Sequence, residues 1–475
     1  MKTRSLVAFA LLAAAGSACA WDFRDEVYVC TTQGMTLAEL QSAGVTLVSH
    51  CPWEREWMEQ AAQYGIRGMP YISLYKVWDR TAPGGETDHP FWSAVEMNDH
   101  PEWVYIGSDG QRKRPFNNQF YPQVNWQSCT NTAGIADAYA EGAAGVMDQG
   151  AGGVFIDNVL PATKCWGPDF GIHQHIYPDH DNIYSFKIAL GGVQDAVHGY
   201  GPKSVVMLNI GNPIELWQDF GDCIMLESFI YNVDVKPGPG GWVGNKRVQL
   251  KQWPQIKEWI DRTGPFVDRR GNIVALEYLP DDPQAAYFSY AADKLANFLW
   301  TGSTRVRRDI CRTLYRARLQ RASGPLQETD GVQWRLYPNG MAAVNPTEER
   351  KSVRVSAPEG LSALADVAND DVLTVRRGMV RLTLPPGAGR VYVTPLALAE
   401  GHLREAVLAI DTTLEQAAPD PSIPLSEQAV AAANLIDQAH AAVAEAAEPA
   451  DAREAIEAAL RAVDACLTSP SEGGV

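Results

Sequence analysis

Gly152-Gly-Val-Phe-Ile-Asp-Asn-Val159 decides how this chain is read. Three consecutive apolar residues after two glycines predict a short strand buried on both faces, with Asp157 where the strand emerges. A carboxylate beside such a run is costly to desolvate unless it has a task. Two later stretches repeat the pattern: Cys223-Ile-Met-Leu-Glu227 and Ile273-Val-Ala-Leu-Glu277 each set an acid directly after apolar residues. Three acids at three strand ends predict a shared rim.

Outward from this strand the chain alternates. Strands are expected at Val27–Val29, Val45–Val48 and Pro70–Tyr75, with helices at Thr36–Ala43 and Glu54–Tyr64 between them. Residues 79–131 break the rhythm with Pro, Gly, Asn, Asp and aromatics around a short Trp103-Val-Tyr-Ile strand, an insertion of the kind that shapes a cleft. A helix over Thr132–Gln149, capped by Asn131, leads into the Asp157 strand. Beyond a polar loop at 161–183 come a helix at Tyr184–His198, a strand at Ser204–Asn209 and a helical turn at Ile214–Phe220 before the Glu227 strand. A Gly/Pro-rich excursion at 236–244, a helix at Gln249–Thr263, the Glu277 strand and a helix at Pro283–Trp300 follow. Repeated strand–helix alternation over roughly 280 residues predicts a (β/α)8 TIM-like barrel, in which the active site lies at the C-terminal strand ends. Asp157, Asn209, Glu227 and Glu277 all fall there.

From about residue 325 short alternating strands separated by Pro, Gly and Asn replace the helices, predicting a small antiparallel β-sandwich. An Ala- and Glu-rich tail then predicts a helical hairpin, with helices at 426–445 and 449–468. The domain reading is a signal peptide at 1–20, the barrel at 21–322, the sandwich at 323–397 and a helical region at 398–475. Lys2 and Arg4 before the apolar run Leu6–Ala15, with Ala18-Cys19-Ala20 as an A-x-A cleavage site, mark the signal and hence a secreted or periplasmic protein. Lipidation at Cys19 is disfavoured because Gly16 stands where a large apolar residue is expected. No later apolar run is long enough to span a bilayer.

Fifty-seven acidic against 40 basic residues give a net charge of −17, which repels nucleic-acid backbones and anionic membranes and suits neutral or cationic partners. Seven cysteines follow the signal, an odd number in a disulfide-permissive compartment. Cys129 and Cys165, in loop-like sequence on either side of the Asp157 strand, are the pair expected to bridge. Without a C-x-x-C pair, a cysteine zinc cluster has no sequence support.

Two carboxylates in one cleft are the minimum equipment for glycosidic cleavage: one protonates the leaving oxygen, and the other attacks the sugar or activates water. Asp157, as nucleophile or base, and Glu227, as general acid, fill these roles with no metal or cofactor. Glu277, Asn209, Asn158 and His50 are expected to position the substrate. Tyr71, Trp126, Trp166, Tyr231, Trp242 and Tyr278 offer aromatic faces for sugar rings. A rival reading takes His173, His175, Asp179, His180 and Asp181 as a metal site completed by Asp157, making the chain a metal-dependent hydrolase. Another makes it a non-catalytic carbohydrate-binding protein on a barrel scaffold. G-x-G-x-x-G, phosphate-cradling and G-x-S-x-G motifs are missing.

Gly153-Val-Phe-Ile-Asp157-Asn, Leu208-Asn-Ile-Gly-Asn-Pro213 and the strand ending at Glu227 resemble the barrels of secreted glycoside hydrolases. The likeness is to the polygalactosaminidase-like group and, more distantly, to the alpha-galactosidase-like barrels. Gln333–Tyr337 and Met341-Ala-Ala-Val-Asn-Pro346 resemble the sandwich that follows them. The alpha-galactosidase-like resemblance implies a nucleophilic aspartate after the fourth barrel strand and an acid/base carboxylate after the sixth, the places of Asp157 and Glu227. Glutamate in place of aspartate at 227, and the insertion at 79–131, depart from that pattern.

Overall fold

The computed structural model describes residues 26–462 except 33, 82–94, 97, 115–124, 160–163, 178–182, 211–213, 235–246, 271, 281, 304–307, 318, 406–433, 440 and 442–453. The expected signal peptide, Cys19, Trp242, Asp179, His180 and Asp181 lie outside the described residues. In chain order the first strands are β1 (Tyr28–Cys30), β2 (Leu47–Cys51), β3 (Arg67–Ile72), β4 (Lys76–Trp78), β5 (Asn125–Gln127) and β6 (Gly153–Val159). They are followed by β7 (Val205–Ile210), β8 (Cys223–Glu227), β9 (Tyr231–Asp234), β10 (Arg247–Leu250), β11 (Ile273–Tyr278) and β12 (Leu299–Ser303).

Eight of these form one parallel sheet in the order β1-β2-β3-β6-β7-β8-β11-β12. The sheet rolls nearly shut, and the Cys30 amide of β1 donates to Thr301 Oγ1 of β12 across the seam at 3.1 Å. This is the TIM-like barrel expected from the alternation, with β6 as fourth and β8 as sixth strand. The eighth strand, β12, falls where the sequence suggests a continuing helix; the helix stops at Leu295, and Asn297, in a left-handed conformation at φ 62°, turns the chain into the strand. In the insertion, Trp103 lies in a 3₁₀ turn (Pro101–Trp103) rather than a strand, while β4 and β5 pair antiparallel. Asn131 is not the cap of the helix Ile135–Asp148, whose N-cap is Gly134; it grips the backbone of Tyr177 through both side-chain atoms.

Local chemistry explains the helices that clad the barrel. Leu37–Ser42 begins with a capping box in which Thr36 Oγ1 takes the Glu39 amide at 3.1 Å and Glu39 takes the Thr36 amide at 2.8 Å. Pro283–Leu295 starts from Asp282, which accepts from the Gln284 amide, with Pro283 in the first turn. From Ala285 to Leu295 this helix is buried on every face, because the barrel lies on one side and the β-sandwich on the other. The six-stranded antiparallel sheet of that domain approaches closely at Gly389, where a side chain would strike the backbone of Phe288. A two-stranded sheet, Lys351–Ser356 with Met379–Leu384, closes the sandwich over Trp334, Met341, Leu364 and Leu382. A helix over 395–405 packs with helical residues 434–439 and 454–462 around Leu403, Ile436 and Ile456. Among the described residues no helix is long and apolar enough to cross a membrane.

Strand parity divides the barrel into two cores. Met69, Phe155, Val205, Met207, Met225, Val274 and Leu276 fill the interior, while Val154, Ile156, Val206, Leu208, Ile224 and Ala275 face the helices. At about 1.5–3 kcal/mol per fully buried apolar side chain, the interior layer forms a rigid floor. Whatever inward residue comes next along each strand stands on it.

Candidate active site

The next inward residues are polar. Asp157 follows Phe155 by two positions, Asn209 follows Met207, Glu227 follows Met225, Tyr278 follows Leu276 and Tyr71 follows Met69, and these five side chains join in one network. Asn209 Nδ2 donates to Asp157 Oδ1 at 2.8 Å and to Glu227 Oε2 at 3.0 Å, so one amide spans the two acids. Asp157 Oδ2 accepts from the Tyr71 hydroxyl at 2.8 Å and from Asn158 Nδ2 at 2.6 Å. Glu227 Oε1 accepts from the Tyr278 hydroxyl. Burial, reinforced by the neighbouring Glu227 charge, pushes the Tyr278 phenol well above its usual range, so it stays a donor.

Asn158 reaches the same cluster as its neighbour Asp157 because the strand is broken there. Its φ is +58°, and the β6–β7 register shifts between Ile156 and Val159. Without that irregularity a side chain next to Asp157 would point to the helices. The same device acts on β2, where His50 at φ +51° sits at a register shift between Ser49 and Cys51. His50 consequently lies against Phe155 and Tyr71, with ring centroids 4.4 and 5.1 Å away. Thr31 and Ser228, directly after β1 and β8, are also left-handed at φ 62° and 61°. Non-glycine residues in this region store strain on the order of 1–3 kcal/mol each, and four of the eight among the described residues lie along this rim.

A buried lysine completes the cluster, and the sequence reading missed it. Lys76 Nζ donates to the Tyr71 hydroxyl at 3.1 Å, one hydrogen bond behind Asp157. Burial lowers its pKa to about 8 against the opposing pull of Asp157. The signal was a lone lysine in Leu74-Tyr-Lys-Val-Trp78, an otherwise apolar and aromatic run.

Other expected site residues make their contacts outside this network. Glu277 has the opposite parity to Tyr278; it is fully buried, and its carboxylate accepts the amides of Ile230 at 2.8 Å and Tyr231 at 3.2 Å. Burial raises its pKa against the pull of those amides, and both oxygens are occupied in holding the turn after β8. Tyr231 is buried, with its hydroxyl on the Ala285 carbonyl. The face of Trp126 is covered by the Arg114 guanidinium at 3.8 Å, while its indole nitrogen donates to Asp79. Lys164 lies over Trp166 at 4.4 Å. Asp157 meets Tyr71, Asn158 and Asn209, not the histidines of the 173–175 loop. Those histidines face Cys129 and Cys165, which are not joined by the expected disulfide. A cavity of about 500 Å³ lies at the other end of the barrel, at the starts of β1 and β12, lined by Tyr28, Leu299 and Trp300. The acids are not part of it.

What the fold and rim define is a (β/α)8 barrel carrying two hydrogen-bonded acids on its fourth and sixth strands. No family model and no curated protein matches the chain. Solved structures with a similar outline include an alpha-amylase from Geobacillus thermoleovorans complexed with acarbose, at 10% identity and TM-score 0.47 over 78% of this chain and 98% of that one. A GH27 β-L-arabinopyranosidase from Geobacillus stearothermophilus overlaps at 11% identity and TM-score 0.46, over 78% and 96%. The glycoside hydrolase domain of PelA from Pseudomonas aeruginosa overlaps at 15% identity and TM-score 0.38, over 58% and 94%.

Burial pushes the His50 pKa down from 6.5 to about 4, opposed by Asp157 and aided by Lys76. Below pH 6.5 the unfolded chain takes up a proton at this residue that the folded protein accepts only near pH 4, so stability falls as pH drops through this window. The urea midpoint of the wild type should therefore drop more between pH 6.5 and 4.5 than that of H50N. Parallel pH dependences in the two proteins would show that His50 is not held neutral.

Proposed function

We propose that this chain is a glycoside hydrolase that works with retention of anomeric configuration through Asp157 and Glu227. The observation carrying this reading is the Asn209 amide shared by both acids. A common donor keeps the two accepting oxygens within roughly 6 Å, which matches the spacing of about 5–5.5 Å in retaining enzymes better than the 6.5–9.5 Å that leaves room for water in inverting ones.

In this mechanism Asp157, oriented by three donors, attacks the anomeric carbon as the bond to the leaving oxygen breaks. Glu227 delivers its proton to that oxygen. Water then enters, Glu227 removes its proton, and the bond between the sugar and Asp157 is cleaved. Tyr71 and Asn209 hold the nucleophile's trajectory, and Tyr278 orients Glu227. Lys76 is a positioning residue: its ammonium donates to the Tyr71 hydroxyl, which in turn donates to Asp157 and so is held on the nucleophile. Asn158 and His50, beside the acids, are the proposed partners for substrate hydroxyls. The acidic surface favours a neutral or cationic glycan, met outside the cytoplasm if the leader directs export.

Digestion of a panel of neutral and amino-sugar glycans by the purified protein, followed by mass spectrometry, should reveal new reducing ends. D157N and E227Q should each lower kcat/KM by roughly 10²–10⁴-fold; full activity in both would refute these roles. Glycan binding without any product would instead favour a non-catalytic carbohydrate-binding protein. Because Lys76 loses its proton near pH 8, the wild-type rate should decline above that pH. K76M should be slower and lack that alkaline limb, whereas an unchanged limb would mean that Lys76 serves only in packing.

A further inference from the structure

Four side chains outside the rim converge on one point. Cys129, just after β5, Cys165, in the loop after β6, and His173 and His175 further along that loop bring their ligand atoms within 4.8 Å of one another. Both cysteines and His173 are buried, and His175 is half-buried. Cys129 Sγ lies 3.5 Å from His175 Nε2, Cys165 Sγ lies 3.4 Å from His173 Nε2, and the two Nε2 atoms are 3.3 Å apart.

We propose that Cys129, Cys165, His173 and His175 form a closed structural Zn²⁺ site that fastens the 79–131 insertion to the loop following the Asp157 strand. A tetrahedral zinc with bonds of about 2.3 Å to sulfur and about 2.0–2.1 Å to nitrogen has S···N edges near 3.5 Å and an N···N edge near 3.3 Å. The three separations given above match these edges. The S···S edge of the same tetrahedron is about 3.8 Å, far longer than a disulfide bond of about 2.05 Å. Two thiols and two imidazoles suit a borderline-soft cation such as zinc and do not suit calcium or magnesium, which take oxygen ligands.

A second observation supports an assembled site. Gly167 lies against the His173 ring so closely that any Cβ there would come within 2.1 Å of Nε2. The chain has made room for that imidazole nitrogen to face the thiols. His173 Nδ1 is buried without a hydrogen-bond partner, so among the described residues the polar contacts of this ring run through Nε2. Four protein ligands leave no open position, so the metal supports structure and takes no part in bond cleavage. The proposal is independent of the glycosidase reading: zinc can be present whether or not a glycan is cut.

The full chain, purified without reductant or chelator, should contain close to one zinc per molecule by elemental mass spectrometry. Exchange with Co²⁺ should give tetrahedral d–d bands and a thiolate-to-cobalt charge-transfer band. H175A, which removes the least buried ligand, should weaken Co²⁺ binding by at least about tenfold, and G167V should do the same with all four ligands retained. Stripping the metal should lower Tm by roughly 5–10 °C, and added Zn²⁺ should restore it. Peptide mapping that finds Cys129 and Cys165 bridged in the native protein would overturn the proposal. So would a wild-type protein that binds no Co²⁺, or one whose Co²⁺ spectrum is octahedral and unchanged in H175A. If H175A fails to fold, the metal content and Co²⁺ spectrum of the wild type decide the question alone.

Discussion

Closure of eight parallel strands is the constraint on which the rest of this molecule depends. A strand throws alternate side chains to opposite faces, and a closed barrel turns one face into a sealed interior. Phe155, Met207, Met225 and Leu276 fill that interior, so the inward position two residues later on each strand is held above a packed layer. Asp157, Asn209, Glu227 and Tyr278 occupy those positions. Their arrangement follows from the register of β6, β7, β8 and β11 rather than from loop conformation. Groups held in this way lose little further freedom when a substrate binds, which is what orientation-dependent catalysis requires.

Regular alternation alone would give each strand one side chain at the rim. Left-handed residues at Asn158 and His50, each at a register shift, add a second from β6 and β2. The strain at these positions is offset by the packed floor beneath them. Polar groups from six strands, with Lys76 of β4 behind them, thereby meet in a small volume. Lys76 and Tyr71 place positive charge and a hydroxyl donor on the same side of Asp157, while Tyr278 donates to Glu227 from the other. The two acids therefore stand in different surroundings.

The barrel and the Asp157–Asn209–Glu227 trio were legible because each is an abrupt polar residue after an apolar strand. Parity within those strands was legible too, yet unused. Counting by twos along Ile273-Val-Ala-Leu-Glu-Tyr278 sends Tyr278 inward with Leu276 and sends Glu277 out with Ala275, which is why Glu277 holds backbone amides instead of facing the rim. β12 was hidden because Phe298-Leu-Trp300 continues the apolar texture of the preceding helix without a proline or glycine between them. The Cys129, Cys165, His173 and His175 cluster was legible only in halves, the histidines as metal ligands and the cysteines as a pair. Its members come from two loops separated by the whole of β6 and the helix before it, so no local spacing joins the halves. Reading Cys129 with Cys165 as a bridge found the right neighbours, which this structure holds as thiols rather than as a disulfide.

The proposed retention of configuration rests on the Asn209 amide that Asp157 and Glu227 share. Proton NMR of the first-formed sugar, recorded before mutarotation with a substrate of known anomeric configuration, decides whether it holds. The product should emerge with the anomeric configuration of the substrate. An inverted product would contradict the proposed mechanism, because inversion requires water, not Asp157, to attack the anomeric carbon.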